Sequence, residues 1–173
     1  MEPAQQPIRD RFLAAMGRAV HQVNVVTTDG IAGRLGATVS AMSSVSADMS
    51  PPTLLICMNQ SAATTQAVLR NGVFCLNVLH ESQHGVADCF AARTRTDSGD
   101  KFDCASWTQT VAGSWRLDEA LASFDCQVLS ATLVGTHYVI IGSVAGVDFR
   151  ADARPLIYGD RRYCAAVTLQ PQA

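Results

Sequence analysis

The densest run of groups able to do chemistry is Thr38-Val39-Ser40-Ala41-Met42-Ser43-Ser44-Val45-Ser46, with five hydroxyls in nine residues. Short hydroxyls interleaved with small apolar groups leave side-chain donors and backbone N–H groups along an open edge. Such an edge can face a flat heteroaromatic ring and donate to its carbonyls. It also reads as a solvated, Ser-rich edge strand. A second run, Asn59-Gln60-Ser61-Ala62-Ala63-Thr64-Thr65, lies between an apolar stretch and a helical one. The free N–H groups and dipole at a helix N-terminus favour a phosphate, while Ser61 reads equally as a plain helix cap.

His80, His84 and Cys89 invite a metal reading, because the two histidines sit four apart on one helical face. A closed zinc site needs a fourth ligand and supporting hydrogen bonds. No further His or Cys lies in that stretch, so a structural or solvent-facing pair is the better reading and no metal is expected. Asp97, Asp100 and Asp103 lack the spacing of an EF-hand. No Ser-His-Asp motif or nucleophile elbow stands out, and the absence of GxGxxG leaves a Rossmann reading without support.

The elements that must position these groups follow from periodicity and turn residues. Pro7 to Val20 fits an amphipathic helix, with Ile8, Phe12, Leu13, Met16 and Val20 near helical spacing. Val23 to Thr28 is a strand that stops at Asp29-Gly30, so a hairpin follows. Gly33 to Ala41 returns as a strand, and Met42 to Ser46 continues in extended or irregular form. After Ser50-Pro51-Pro52, Thr53 to Met58 reads as a strand buried on both faces. Ser61 caps a helix through Arg70 that Asn71-Gly72 ends.

Val73 to Leu79 is a second buried strand and Glu81 to Ala92 a second short helix. Arg93 to Asp103 is a polar, turn-rich loop expected to be mobile. Phe124 to Val134 and His137 to Val147 pair around Gly135 and Thr136, and Leu156 to Tyr158 and Tyr163 to Leu169 form the last strands. Many short strands with a few helices between them make a closed antiparallel barrel with helical insertions.

At 173 residues one domain, 1–173, is expected. Charged residues are only 16%, below the roughly 25% usual for globular chains, so part of the surface is expected to be covered in a homodimer. The net charge of −2 and the lack of a basic patch around Arg93, Arg95, Arg161 or Arg162 argue against nucleic acid. No stretch approaches the roughly 20 apolar residues of a membrane helix and no export signal is visible. The six cysteines, widely scattered, read as reduced core thiols of a cytoplasmic protein.

The string VNVVTTDGIAGRLGATVSAMSSVS, then ADMS, PPTLLICMN, NGVFCLNVL, DCFA, FDCQV, GTHYVIIGSV and PLIYGDRRY, resembles the short-chain flavin reductases. These are the reductase components of two-component flavin-dependent monooxygenases acting on 4-hydroxyphenylacetate, chlorophenols and pyrimidines. The resemblance runs from about Phe12 to Tyr163. It implies an FMN-binding split β-barrel of Greek-key type, mainly β with helical insertions. It also implies a homodimer with flavin in a groove near the subunit interface, and hydride transfer from NADH or NADPH to FAD or FMN. Reduced flavin then passes, by diffusion, to a partner monooxygenase.

The same resemblance assigns Thr38, Ser40, Ser43, Ser44 and Val45 to the isoalloxazine and ribityl chain, and Asn59, Ser61 and Thr64 to the ribityl and phosphate region. Phe90 would close over the flavin's other end, Arg93 would be available to a phosphate, and His137 would position the nicotinamide. No side chain is expected to be catalytic in its own right, because the cofactors carry the chemistry. Two departures from the family pattern stand out. Ala47-Asp48-Met49-Ser50 lengthens the approach to Pro51-Pro52, and Ala62 stands where many relatives carry Ser. Two other readings share the barrel: an oxidase of the pyridoxamine-phosphate-oxidase type with tightly bound FMN, and a flavin- or haem-binding module without turnover.

Overall fold

The computed structural model describes residues 8–169. The described residues start with α1 (Ile8–Met16), β1 (His21–Gln22), β2 (Asn24–Thr28), β3 (Leu35–Val39), β4 (Met42–Ser46) and β5 (Thr53–Asn59). α2 (Ala63–Asn71), β6 (Val73–Val78), a 3-10 turn at Glu81–Gln83, α3 (His84–Phe90) and a second 3-10 turn at Lys101–Cys104 follow. The rest is β7 (Trp107–Gln109), β8 (Trp115–Leu117), β9 (Ala122–Val134), β10 (His137–Phe149), β11 (Leu156–Gly159) and β12 (Arg162–Ala165).

Seven strands form one antiparallel sheet in the order β3-β2-β6-β9-β10-β5-β4. Its edge strands β3 and β4 are consecutive in the chain, with only Ser40 and Ala41 between them. Three peptide steps reach at most about 11 Å, so the sheet must curl until its two edges meet there. The Ala41 carbonyl accepts from the Cys57 amide at 3.1 Å and fixes the crossing. The product is the mainly β split barrel expected, with β1, β11 and β12 as a second small sheet and β7–β8 as a separate hairpin.

The barrel interior is filled by Val26, Val39, Leu54, Ile56, Met58, Val68, Phe74, Leu76, Cys126 and Ile140. Leu54, Ile56 and Met58 face inward at strand period, while Leu55 and Cys57 are half-buried. The expectation that β5 is buried on both faces therefore holds for one face only. β6 does meet it, since Phe74 to Leu76 are fully enclosed. On the outer face a second cluster joins Val25, Leu79, Ala87, Phe90, Phe102 and Leu117, and it holds α3 and β8 against the sheet. Asn77, fully buried, locks that layer by accepting from the Leu117 amide at 2.7 Å and donating to the Val25 carbonyl at 3.1 Å.

Several local expectations change. Pro7 lies outside the described residues, and α1 ends at Met16 rather than Val20. Asp29-Gly30 opens a longer loop, since Thr28 pairs with Leu35. The Asn71 carboxamide pins that loop by accepting from the Ala32 amide at 2.7 Å and donating to the Gly33 carbonyl at 3.2 Å. Met42–Ser46 is an edge strand paired with β5, with a register shift between Ser44 and Ser46. The loop from Arg93 is anchored at its far end, where Phe102 is buried and the Thr96 hydroxyl donates to the Asp100 carbonyl at 2.8 Å. All six cysteines are free, but Cys164 is exposed on β12 rather than in the core.

Candidate functional site

The polar run from Thr38 to Ser46 straddles the closure of the barrel, and three openings surround it. A groove of about 510 Å³ lies between β3 (Gly36, Ala37), the start of α2 (Ala62 to Thr64), the end of α3 (Phe90 to Ala92) and Lys101. Across Ala91 is a smaller pocket of about 190 Å³, lined by Thr38, Ser40, Arg93, Tyr158 and Tyr163 among others. A third, open trough of about 490 Å³ runs past Gln22, Met42, Ser43, Ser44, Val78 and Phe124. The nine-residue run is thus divided: Thr38 and Ser40 serve one opening, Ser43 and Ser44 another. Val45 stands half-exposed on the same edge strand.

The groove is suited to an anion. α2 starts after Ala62, whose side chain makes no cap bond. Ala62, Ala63 and Thr64 line the groove, and the first amides of the helix have no side-chain acceptor. Lys101 adds an ammonium that donates to the Phe90 carbonyl at 3.1 Å, leaving further N–H groups for a ligand. Arg34 lines the same groove, paired with Asp100 and lying 4.4 Å over the Phe102 ring.

Ser61 is not the cap. Its amide and hydroxyl both donate to Asn59 Oδ1, at 2.9 and 2.8 Å, because the helix begins one position later than its hydroxyl suggests. Thr64 is buried, with its hydroxyl donating to the Gly36 carbonyl at 3.1 Å, so it ties α2 to β3. Thr38 likewise donates to the Ala87 carbonyl at 2.7 Å and holds β3 to α3.

Phe90 corrects an expectation. Phe90 is 2% exposed and its ring packs 5.2 Å from both Phe102 and Trp107, so it forms part of the groove's wall. A Cβ at Gly36 would run into that ring, which explains the glycine. Arg93 is half-exposed and donates to Asp88 Oδ1 at 3.2 Å, Tyr163 at 3.2 Å and Tyr158 at 3.5 Å. Burial, and then the hydrogen bond to Asp88, push the Tyr163 phenol up to about 12, so it stays a neutral donor.

At the rim, His137 opens β10 directly across from Asn59 on β5. The Gln60 amide donates to the Thr136 carbonyl at 2.9 Å and fastens the two ends. His80 Nδ1 lies 2.8 Å from Ser82 Oγ, His84 sits near Tyr163, and Cys89 donates to the Lys101 carbonyl. These three are spent on local contacts. Among the described residues, no three His, Cys, Asp or Glu side chains are placed to hold a metal ion. Elsewhere, a cleft of about 380 Å³ is lined by Arg116, Asp148, Arg150 and Asp152, which neutralise one another in ion pairs.

The fold is a mainly β split barrel with a polar seam at its closure. Residues 16–166 match the family described as flavin reductase like domain, and the chain belongs to that family. It is 41% identical over 155 residues to the FMN reductase (NADH) RutF of Pantoea ananatis (strain LMG 20103), which covers 90% of this chain and 80% of that one. The FMN reductase (NADH) RutF of Variovorax paradoxus (strain S110) is 42% identical over 149 residues, covering 86% and 81%. The solved structure of nitrilotriacetate monooxygenase component B from Mycobacterium thermoresistibile matches with a TM-score of 0.84 and 28% identity, covering 98% of this chain and 94% of that one.

Lys101, Arg34, Tyr158 and Tyr163 also line these openings, and no local pattern singles them out. PLIYGDRRY carried both tyrosines, but nothing in its spacing tells that they flank an arginine from another element.

Proposed function

We propose that this chain takes a hydride from NADH or NADPH to FMN or FAD and releases the reduced flavin for a partner monooxygenase. The observation that carries this reading is the junction at Ser40 and Ala41. Barrel closure there sets the hydroxyl-rich edge and the start of α2 beside neighbouring openings that share Ala91. The donor set fits a flavin, whose phosphate suits the α2 amides with Lys101 and whose carbonyls suit hydroxyls and backbone N–H groups.

The flavin and nicotinamide rings, when bound, supply the hydride chemistry. The chain's residues bind and orient them. Ser40, Ser43 and Ser44, with the backbone at Val45, offer donors along the seam. Asn59, Ser61 and His137 line the rim, with His137 as a positioning residue rather than a proton donor. Thr38, Thr64 and Phe90 act by holding walls together. No side chain needs to move a proton to substrate. The seam openings are shallow and solvent-connected, which suits a flavin that must leave after reduction.

The protein is further proposed to act as a homodimer in the cytoplasm. α1 buries none of its residues in this chain, and Ile8, Phe12, Leu13 and Met16 stand open to solvent. Leu129, Leu133 and Val134 at the far end of β9 are also exposed. A second copy of the chain is the simplest cover for so much apolar surface. No helix among the described residues is long and apolar enough to cross a membrane.

The test is purified protein mixed with NADH and excess FMN or FAD while NADH absorbance is followed. Many turnovers per protein support the reading. A yellow protein with stoichiometric FMN that oxidises an amine and ignores NADH overturns it in favour of the oxidase. Flavin or haem binding with no NADH loss overturns it in favour of a binding module.

A further inference from the structure

The pocket across Ala91 is built unlike the groove beside it. A guanidinium stands between two phenol rings, with Arg93 Cζ 5.6 Å from the Tyr158 ring and 5.8 Å from the Tyr163 ring. Tyr163 donates its own proton to Asp88 Oδ1 at 2.8 Å, so an Asp88–Tyr163–Arg93 chain holds the fork in place. Those contacts engage Nη1 and Nη2 only, and half of the Arg93 side chain remains open to solvent. Ser40 adds an exposed hydroxyl at the pocket mouth.

This arrangement offers a bidentate cation for phosphate oxygens and flat faces for a planar base. Its volume, about 190 Å³, is well below that of the neighbouring groove and suits a two-ring base better than a three-ring isoalloxazine. FMN has a single phosphate, and the groove at α2 with Lys101 accommodates it. The chain therefore holds one more anion-binding place than FMN can fill. NADH brings a pyrophosphate and an adenine that would fill it whichever flavin is bound, whereas FAD would bring them only as part of the flavin.

We propose that Arg93, Tyr158 and Tyr163 form the subsite for the ADP-ribose half of the nicotinamide dinucleotide, with Arg93 on the pyrophosphate and a tyrosine ring against the adenine. This rests on the flavin reductase reading above. It makes Arg93 a determinant of the hydride donor rather than of the flavin, and leaves the nicotinamide end to His137.

The experiment titrates ADP-ribose and, separately, FMN and FAD into wild type, Arg93→Gln and Tyr163→Phe, by calorimetry and flavin fluorescence. Arg93→Gln is expected to weaken ADP-ribose by about tenfold or more, the scale of a lost charged hydrogen bond, while FMN and FAD affinities hold. Tyr163→Phe keeps the ring but frees the fork, so ADP-ribose should weaken by a smaller factor. That variant carries the test if a thermal melt shows Arg93→Gln unfolded. Loss of FMN affinity with ADP-ribose unchanged overturns the proposal, as does a loss of FAD affinity as large as that of ADP-ribose, or indifference of ADP-ribose to both substitutions. In each case a wild type that still turns over NADH with FMN leaves the underlying function standing, whereas a wild type that binds no flavin removes both.

Discussion

His137 and Asn59 are cross-strand partners, the first residue of β10 facing the last residue of β5. Expectations from two distant motifs, one for the nicotinamide and one for the ribityl chain, thus meet at one spot on the barrel rim. The His137 ring is exposed, with Nδ1 3.0 Å from Thr136 Oγ1, so Nε2 is left for a ligand. His137→Ala should raise KM for NADH or slow hydride transfer by about tenfold, about 1.4 kcal/mol of lost positioning. Flavin affinity should change little. Anaerobic stopped-flow reduction beside a flavin titration measures both, and a variant that loses flavin yet reduces the bound fraction at the normal rate contradicts the assignment.

Ser44 stands exposed on the edge strand β4, opposite Leu54, and lines the trough beside Met42. A bulky ring there has open space to occupy, so Ser44→Tyr should fold normally. It should also block the approach of a flat ligand and weaken flavin binding strongly. Circular dichroism checks the fold and fluorescence titration checks the affinity. A folded variant with wild-type affinity removes the seam from the flavin site.

Stability should fall on mild acidification through His80. Burial, followed by the nearby Arg150 guanidinium, lowers its pKa below the ordinary histidine value, against a weaker opposing pull from Glu119, Glu81 and Asp152. Its Nδ1 accepts from the Ser82 amide at 3.4 Å, a role the neutral ring fills. The unfolded chain takes up the proton first, so this contribution is complete above about pH 6.5 and is lost as pH drops toward the folded value. Melting temperatures should decline as pH drops below about 6.5, and His80→Asn, which can still cap, should flatten that slope. An unchanged slope in the variant assigns the acid sensitivity elsewhere.

Light scattering should give twice the chain mass at micromolar concentration. Replacing Phe12 and Met16 with Ser on the open face of α1 should shift the population toward monomer with little loss of secondary structure, since neither side chain is buried in this chain. A wild-type monomer with full reductase activity would rule out a functional dimer.

Much of the barrel was legible because period-two burial writes itself into strands such as Leu54, Ile56 and Met58. The order of those strands was not. Nothing local reveals that β3 and β4, two residues apart, occupy opposite edges of one sheet. The β7–β8 hairpin escaped notice because its three-residue strands are too short to show a period. Phe90 looked like a lid since an aromatic at a helix end before a polar loop is ambiguous until Phe102 and Trp107 are seen against it. The Arg93 pocket was hidden for a similar reason, its tyrosines arriving from a hairpin about 65 to 70 residues further along the chain. The hydroxyl-rich seam was visible from composition, but its division between separate openings depends on where the barrel closes.

The central claim is that flavin is reduced here and then leaves. Two anaerobic chambers separated by a membrane permeable to flavin and NADH, but not to protein, test it directly. One holds the purified chain with NADH and catalytic FMN, and the other holds cytochrome c as the electron acceptor. Cytochrome c reduction is expected in the far chamber, dependent on FMN and well above that in a cell lacking the chain. Rapid reduction of flavin on the protein side, with no cytochrome c reduction beyond that control, would contradict it.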